Sequence, residues 1–387
     1  MSSTLLSKPL LTSMYGGYLV MGLVMGMAGP LVPFLRADLN LSYAEAGLLF
    51  SAQSLGSIAV LLLGGWLIHI LGKRTLMFVG ALTFGVGMGT TAFAANFWWV
   101  LAGNILIGTG MSFLDIAIST LCIDANREGK GKALNLLHFY FGAGAVLGPL
   151  VALALGHWEN GWRWAFGLTT LGPLAIAVLV PFLKVPASPE FTAARKFAVY
   201  KQPFLWLGAV ALLIYCGVEW GVGAWFPSYW KAIPGARSLD PAWATSLFWL
   251  TFSAGRFVVG SWADAWGFQK FLTRSLGSTL LVVVLWLIFP QPLVSLALVL
   301  VFGFVIAGQY PTFVAFISHR FPESSGQVTS FLSIFASLGT FVWPPAVGAW
   351  ADAQGIEALP WAELGMTLLL IGAAALAFFV AREKNRG

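Results

Sequence analysis

Long apolar stretches alternate with short polar ones along almost the whole chain. An apolar run of about 20 residues is enough for a helix to cross the hydrocarbon core of a bilayer. By that rule the pattern predicts spans at residues 11–35, 43–71, 75–95, 97–124, 133–156, 162–183, 203–230, 241–265, 270–289, 291–318, 326–351 and 361–381. We call these spans 1 to 12.

The polar stretch KVPASPEFTAARKFAVYKQP, after span 6, is the longest interruption of the pattern. It predicts two domains of six helices each, at residues 1–183 and 203–387, joined by a cytoplasmic linker at residues 184–202. The predicted fold class is therefore an all-α integral membrane protein with two six-helix, pseudo-symmetric bundles. Secondary transporters are commonly built from two such repeats.

The composition indicates lipid rather than water as the solvent. Of the 387 residues, 58% are hydrophobic and only 9% are charged, whereas soluble domains carry about 25% charged residues. The sequence shows no metal-ligand cluster, nucleophile elbow or phosphate loop. We therefore expect neither an enzyme nor a protein with a cofactor or a bound metal.

The basic residues predict the orientation in the membrane. The net charge is +6, but Lys and Arg lie in short clusters between apolar runs, which argues against a nucleic-acid partner. With the N-terminus inside, the outer loops hold only Arg36, Arg163, Lys231 and Arg237. This asymmetry is typical of cytoplasmic loops rich in Lys and Arg. We expect a monomer in the plasma membrane, the inner membrane of a bacterium, with both termini in the cytoplasm.

Two related segments close spans 2 and 8. GGWLIHILGKR contains Gly65 and Gly72, and GSWADAWGFQK contains Gly260 and Gly267 at the same spacing. Glycine permits sharp turns and close helix contacts. The repeat supports a chain made of two equivalent halves.

These segments and the predicted spans resemble the major facilitator superfamily over almost the whole chain. The family signature after helix 2 is matched by Gly65, Gly72, Lys73 and Arg74, but His69 stands where the family has Asp. The second copy keeps the acid as Asp264, together with Gly260 and Gly267. The resemblance implies that these positions brace helix ends during a conformational cycle, and the change to His69 departs from that pattern.

Three further stretches resemble the fucose-permease-like group of that superfamily. They are GTGMSFLDIAIST in span 4, LNLLHFYFGAGAVLGP in span 5 and YCGVEWGVGAWFPSYW in span 7. The resemblance implies a sugar:proton symporter. Span 1 differs from fucose permease, since it carries no acid.

Ionisable residues inside spans are the candidates for proton coupling, because such groups are costly in lipid and usually face the bundle interior. Asp115 lies about 15 Å from the inner end of span 4, by the rise of a helix. Glu219 in span 7 and Arg256 in span 8 are the other two candidates. Arg256 cannot deprotonate, so it needs a partner. The candidates are Asp115, backbone carbonyls and an anionic ligand.

Other polar and aromatic residues in the spans are candidates for solute contact. They are Gln53, Asn135, His138, Trp220, Gln309 and Tyr310. Asp115, His138, Arg256 and Gln309 fall at similar depths, about 9–15 Å above the inner boundary. This predicts a polar layer shared by four helices, although each member has a packing alternative.

The sequence is compatible with two functions. The first is proton-coupled symport of a small polar solute, such as a sugar or sugar derivative, by alternating access. The second is proton-driven export of drugs or amphipathic metabolites, because GAGAVLGPL in span 5 partly matches an exporter motif. The paired glycines that should follow that motif are replaced by Ala152 and Leu153.

Overall fold

Helices account for nearly all of the molecule. The computed structural model describes residues 6–125, 130–186, 197–236 and 239–383, without the side chains of residues 64–66, 69, 130–132, 197, 198, 260, 261, 264, 382 and 383. The α-helices in these ranges are α1 (Lys8–Leu39), α2 (Tyr43–Ala92), α3 (Phe97–Ala125), α4 (Lys130–Gly156), α5 (Gly161–Thr169), α6 (Leu171–Leu179), α7 (Pro203–Ala232), α8 (Pro241–Trp266), α9 (Phe268–Ile288), α10 (Pro292–Ile306), α11 (Gln309–Ser318), α12 (Ser325–Gln354) and α13 (Leu359–Glu383).

The predicted spans are helical in the structure. In the described part of the chain, 11 segments are long and apolar enough to cross a membrane, and α8 occupies the position of predicted span 8. Spans 2 and 3 form the single helix α2, which is kinked at Gly72. The prediction of an all-α membrane protein is confirmed, with helix ends that extend a few residues beyond several predicted spans.

The two glycines that end the repeated motif have the same backbone conformation. Gly72 has φ 73° and ψ 159°, and Gly267, between α8 and α9, has φ 80° and ψ 149°. This region of φ and ψ is essentially restricted to glycine. The sequence repeat is therefore also a structural repeat, and each copy makes the same turn.

Span 10 is divided into α10 and α11. Pro311 lacks an amide N–H and its ring clashes with the carbonyl one turn earlier, so it disfavours a continuous helix here. The last carbonyls of α10 instead accept side-chain hydrogen bonds, from Ser275 to Val305 (2.8 Å) and from Tyr215 to Ile306 (3.2 Å). Side chains thus compensate for the lost helical bonds.

The chain separates into two compact units. The first contains Met1–Leu41 and Leu48–Ala193, and the second contains Ser42–Gly47 and Ala194–Gly387. The short segment Ser42–Gly47 thus groups with the second unit, because the amides of Tyr43 and Ala44 both donate to Asp352 at 2.8 Å. These bonds satisfy donors that the first turn of a helix otherwise leaves unpaired. The linker predicted at 184–202 lies partly outside the described residues.

In the first unit, helices α1 and α4 approach until their backbones touch. A Cβ atom built on Gly22 would lie 1.9 Å from the carbonyl oxygen of Phe141, and one on Gly144 would lie 2.0 Å from that of Leu19. Small residues allow such close contact between membrane helices. Gly144 belongs to the stretch that partly matched the exporter motif, so packing alone explains this glycine.

In the second unit, helix α7 is the central element, with most of its residues buried. Its glycines receive large side chains from neighbouring helices: the ring of Trp343 lies over Gly217, the carboxyl group of Glu363 over Gly221 and the ring of Trp249 over Gly223. These contacts bring α12, α13 and α8 close to α7.

Candidate functional site

The first unit contains a polar cluster around Asp115, the residue that stood out in span 4. The hydroxyl of Tyr18 on α1 donates to Oδ1 of Asp115 on α3. Ser119, one turn after Asp115, lies 2.6 Å from the Tyr18 hydroxyl oxygen and 3.3 Å from Asp115 Oδ1. Tyr18 is 1% exposed, whereas Asp115 is half-buried. We call Tyr18, Asp115 and Ser119 the first acid cluster.

Helix α4 adds a histidine to this cluster. The ring of His138 meets the ring of Tyr18 edge-on, with centroids 5.7 Å apart. His138 is otherwise exposed, so one side chain contacts Tyr18 and also remains accessible. Asn135, one turn earlier on α4, is exposed as well. A carboxylate, a phenol and an imidazole are thus connected through Tyr18, and such groups can exchange protons and bind hydroxyl groups.

The second unit contains its own acid, Glu219 on α7. Glu219 is 7% exposed, and it interacts with the hydroxyl of Tyr215 and electrostatically with Arg256. The guanidinium carbon of Arg256 lies 4.7 Å from the ring centre of Phe252. The positive charge of Arg256 reduces the electrostatic cost of burying that acid. The structure thus gives Arg256 an acidic neighbour in its own unit.

Tyr310 on α11 completes this second group. Its ring centre lies 6.0 Å from that of Tyr215, and it lies within electrostatic range of Glu219 and Arg256. We call Tyr215, Glu219, Arg256 and Tyr310 the second acid cluster. Each unit therefore combines an acid with a tyrosine from its first long helix. The predicted pairing of Arg256 with Asp115 and the common polar layer remain predictions.

Gln309 has a packing role in this structure. Its amide nitrogen donates to Ser275 and Thr279 on α9, each at 2.9 Å, and the side chain is 0% exposed. The side chain points to α9 and is buried in this structure, and a solute contact for Gln309 remains a prediction.

Gln53 and Trp220 are both half-buried. The amide of Gln53 on α2 donates to the sulfur of Met111 at 3.4 Å, which ties α2 to α3 close to Asp115. Trp220 lies next to Glu219 on α7. A solute contact for either residue remains a prediction.

The residues of the repeated motif are described in part. Lys73 forms an ion pair with Asp124 at the end of α3, and the Lys73 side chain is 1% exposed against 29% for Asp124. Arg74 is exposed. The side chains at Gly65, His69, Gly260 and Asp264 lie outside the described residues, so their predicted bracing role remains a prediction.

Sequence reasoning missed three tyrosine or acid side chains. Tyr18 and Tyr215 were overlooked because tyrosine is common in apolar helices. Tyr18 lies about ten residues into α1, the depth at which Asp115 lies in α3, and this shared depth was the available signal. Glu363 on α13 was overlooked because it lies near the end of span 12, where a charged residue attracts little notice.

Metal binding has no support in the described part of the chain. No group of three or more His, Cys, Asp or Glu residues there is arranged to hold a metal ion.

Comparisons with known proteins agree with this architecture. The model of the Major Facilitator Superfamily matches residues 14–238 and 211–387. Sodium-dependent glucose transporter 1 of Danio rerio is 22% identical over 373 residues, 86% of this chain and 62% of that protein. The chain thus spans less than two thirds of that relative's length. Protein TsgA of Escherichia coli O6:K15:H31 is 21% identical over 376 residues, 95% of this chain and 94% of TsgA.

A solved structure shows the same fold. The bacterial homologue of the human lysosomal transporter Spinster, in an inward-facing and unoccupied conformation, superimposes with a TM-score of 0.79 at 13% sequence identity, covering 97% of this chain and 98% of that one. The predicted superfamily and the twelve-helix, two-bundle fold class are confirmed. The chain belongs to the Major Facilitator Superfamily and is a membrane transporter rather than an enzyme.

Proposed function

We propose that the protein is a proton-coupled symporter of a small polar solute, such as a sugar or sugar derivative, with Asp115 as the proton carrier. The observation that carries this proposal is the hydrogen bond from Tyr18 to Asp115 inside membrane-spanning helices, beside His138. Localisation in a bacterial inner membrane, cytoplasmic termini and a monomeric state belong to the same proposal.

The chemistry of the first acid cluster fits reversible protonation. A charged carboxylate at this depth costs at least about 2.5–3.5 kcal/mol unless it is paired. The hydroxyls of Tyr18 and Ser119 offset part of that cost by donating to the carboxylate, while no cation in the described part of the unit lies in an ion pair with it. Asp115 therefore has partners in its charged form without being locked in it by a salt bridge.

The solute class is supported by the side chains near both acid clusters. Exposed Asn135 and His138 on α4 offer donors and acceptors suited to hydroxyl groups. Tyr310 and Arg256 add a phenol and a fork of donors, which also suits the carboxylate of a sugar acid. The glucose transport in the name of the zebrafish relative supports a sugar-like solute over an exported drug.

The proposal is tested in proteoliposomes, after a thermal-shift screen of the purified protein with hexoses, sugar acids and nucleosides has found a stabilising solute. Uphill uptake of that solute is measured with an imposed proton gradient and, separately, with an imposed sodium gradient. Asp115→Asn should abolish proton-driven accumulation while counterflow exchange persists. Glu159→Gln is the matched control, because Glu159 is an exposed acid in the loop between α4 and α5.

Two results would contradict the proposal. The first is full uphill uptake by Asp115→Asn. The second is uptake by the unaltered protein that follows the sodium gradient alone, as the name of the zebrafish relative would suggest.

A further inference from the structure

Helix α13 carries a carboxyl group that neither acid cluster uses. Glu363 is 0% exposed, and both of its carboxyl oxygens are without a hydrogen-bond partner among the described residues. One turn further along the same face, Thr367 is also 0% exposed and its hydroxyl oxygen is likewise unpartnered. Buried polar groups normally find partners, so this pair requires an explanation.

The carboxyl group lies against the backbone of α7. A Cβ atom built on Gly221 would be 1.9 Å from Oε1 of Glu363 and 2.9 Å from the terminal methyl group of Met366. Glycine at this position is what makes room for the acid. The side chain is thus held between α7 and α13, and the Met366 methyl group lies against the same glycine.

No opposite charge lies close to Glu363. Among the described residues, the charged side chains on the helical elements packed against α13 are Glu219, Lys231, Lys270, Arg274, Asp352 and Glu357. Lys270 and Arg274 lie in the first turns of α9, and Lys231 lies in the last turn of α7.

The other acid of α7 does not share this site. Glu219 precedes Gly221 by two residues, and residues i and i+2 of a helix do not face each other. A negative charge on Glu363 would therefore be buried without a partner among the described residues.

A proton is the cation that fits this site. Three unpartnered oxygens, two from Glu363 and one from Thr367, are available. The described residues contain no group of three or more acidic, His or Cys side chains for a metal ion. An isolated buried carboxylate is far less stable than the neutral acid. A single proton removes the charge and gives Glu363 a hydrogen-bond donor, and the Thr367 hydroxyl, one turn away, is an available acceptor.

We propose that Glu363 is a proton-binding site of the second unit, separate from Asp115 and from the second acid cluster. In the packing of α7 and α13 seen here the carboxyl group is protonated and its proton exchanges with solvent. The proposal goes beyond solute transport and does not depend on it, because protonation is measured on the purified protein without any solute.

Infrared difference spectroscopy in detergent at neutral pH tests the proposal directly. The unaltered protein should show the carbonyl stretch of a protonated carboxylic acid, and this band should move to lower frequency when water is exchanged for D₂O. Glu363→Gln should lose the band. Glu357→Gln should keep it, because Glu357 is an exposed acid on the turn that precedes α13.

A second variant guards against misfolding. Glu363→Asp retains a carboxyl group and should show the band at an altered frequency, and gel filtration of each variant checks its folding. An unchanged band in Glu363→Gln would overturn the proposal, as would a band that fails to move in D₂O. Loss of the band from the unaltered protein on addition of sodium chloride, with potassium chloride as the control, would assign the site to sodium instead.

Discussion

The contact between α1 and α4 gives a sharp test of how the first acid cluster is positioned. Gly22→Ala would place a methyl group 1.9 Å from the carbonyl oxygen of Phe141. A carbon atom and a carbonyl oxygen approach to about 3.3 Å at best, so the two helices must separate by about 1.4 Å. Both atoms belong to backbone or Cβ positions, and no side-chain rotation relieves the clash.

Gly16→Ala is the matched control on the same helix. A Cβ atom there has nothing within 4 Å. Replacing a helical glycine with alanine stabilises a helix by about 1 kcal/mol where space permits. Overpacking costs about 1–3 kcal/mol. We therefore expect Gly16→Ala to be neutral or stabilising, and Gly22→Ala to be destabilising despite its better helix propensity.

Thermal unfolding and solute uptake measure the effects of the two substitutions. Thermal unfolding in detergent should show a lower melting temperature for Gly22→Ala than for Gly16→Ala, by about 1 °C for each kcal/mol of difference in a chain of 387 residues. Solute uptake should fall in Gly22→Ala alone, because separation of the helices moves Tyr18 on α1 away from His138 on α4. Equal melting temperatures for the two variants would refute the close approach.

Other substitutions test the remaining contacts. Tyr18→Phe should weaken proton-driven uptake and lower stability only slightly, since side-chain hydrogen bonds in membranes contribute about 0.6 kcal/mol on average; a loss of folded protein on gel filtration would contradict this. Arg256→Lys keeps the charge but replaces the guanidinium, which can donate two parallel hydrogen bonds, with an ammonium group. Uptake should fall if the guanidinium binds its partner through two nitrogens, and full activity would exclude this bidentate role. In the buried ion pair, Asp124→Asn should lower the melting temperature more than Lys73→Met, because it leaves the more deeply buried charge unpaired; the reverse order would refute this assignment.

The sequence predicted the helices well because lipid makes a strong demand on composition. A run of about 20 apolar residues is sufficient to mark a span, and predicted spans 7 and 8 end within two residues of α7 and α8. Gly72 and Gly267 were also found, because their spacing repeats in the two halves. The turn that they make follows from φ values that other residues avoid.

The side-chain contacts were harder to predict, because the position of a residue along a helix does not determine the direction of its side chain around the helix axis. Gln309 was predicted as a solute contact, yet its amide donates to Ser275 and Thr279 on α9. Tyr18 carries no charge, so nothing in the sequence distinguished it from the other residues of an apolar helix. Only the packing of α1 against its neighbours brings its hydroxyl to Asp115.

The matching turns at Gly72 and Gly267 are the pattern expected if the two halves arose by duplication of one ancestral half. The side chains around them have diverged, since His69 corresponds to Asp264, while the backbone angles have hardly changed. Duplication and fusion of a gene would produce this pattern. The two turn positions must remain glycine because of their backbone angles, whereas the residues beside them can be substituted. A complete mutational scan should therefore show two intolerant positions separated by the length of one ancestral half.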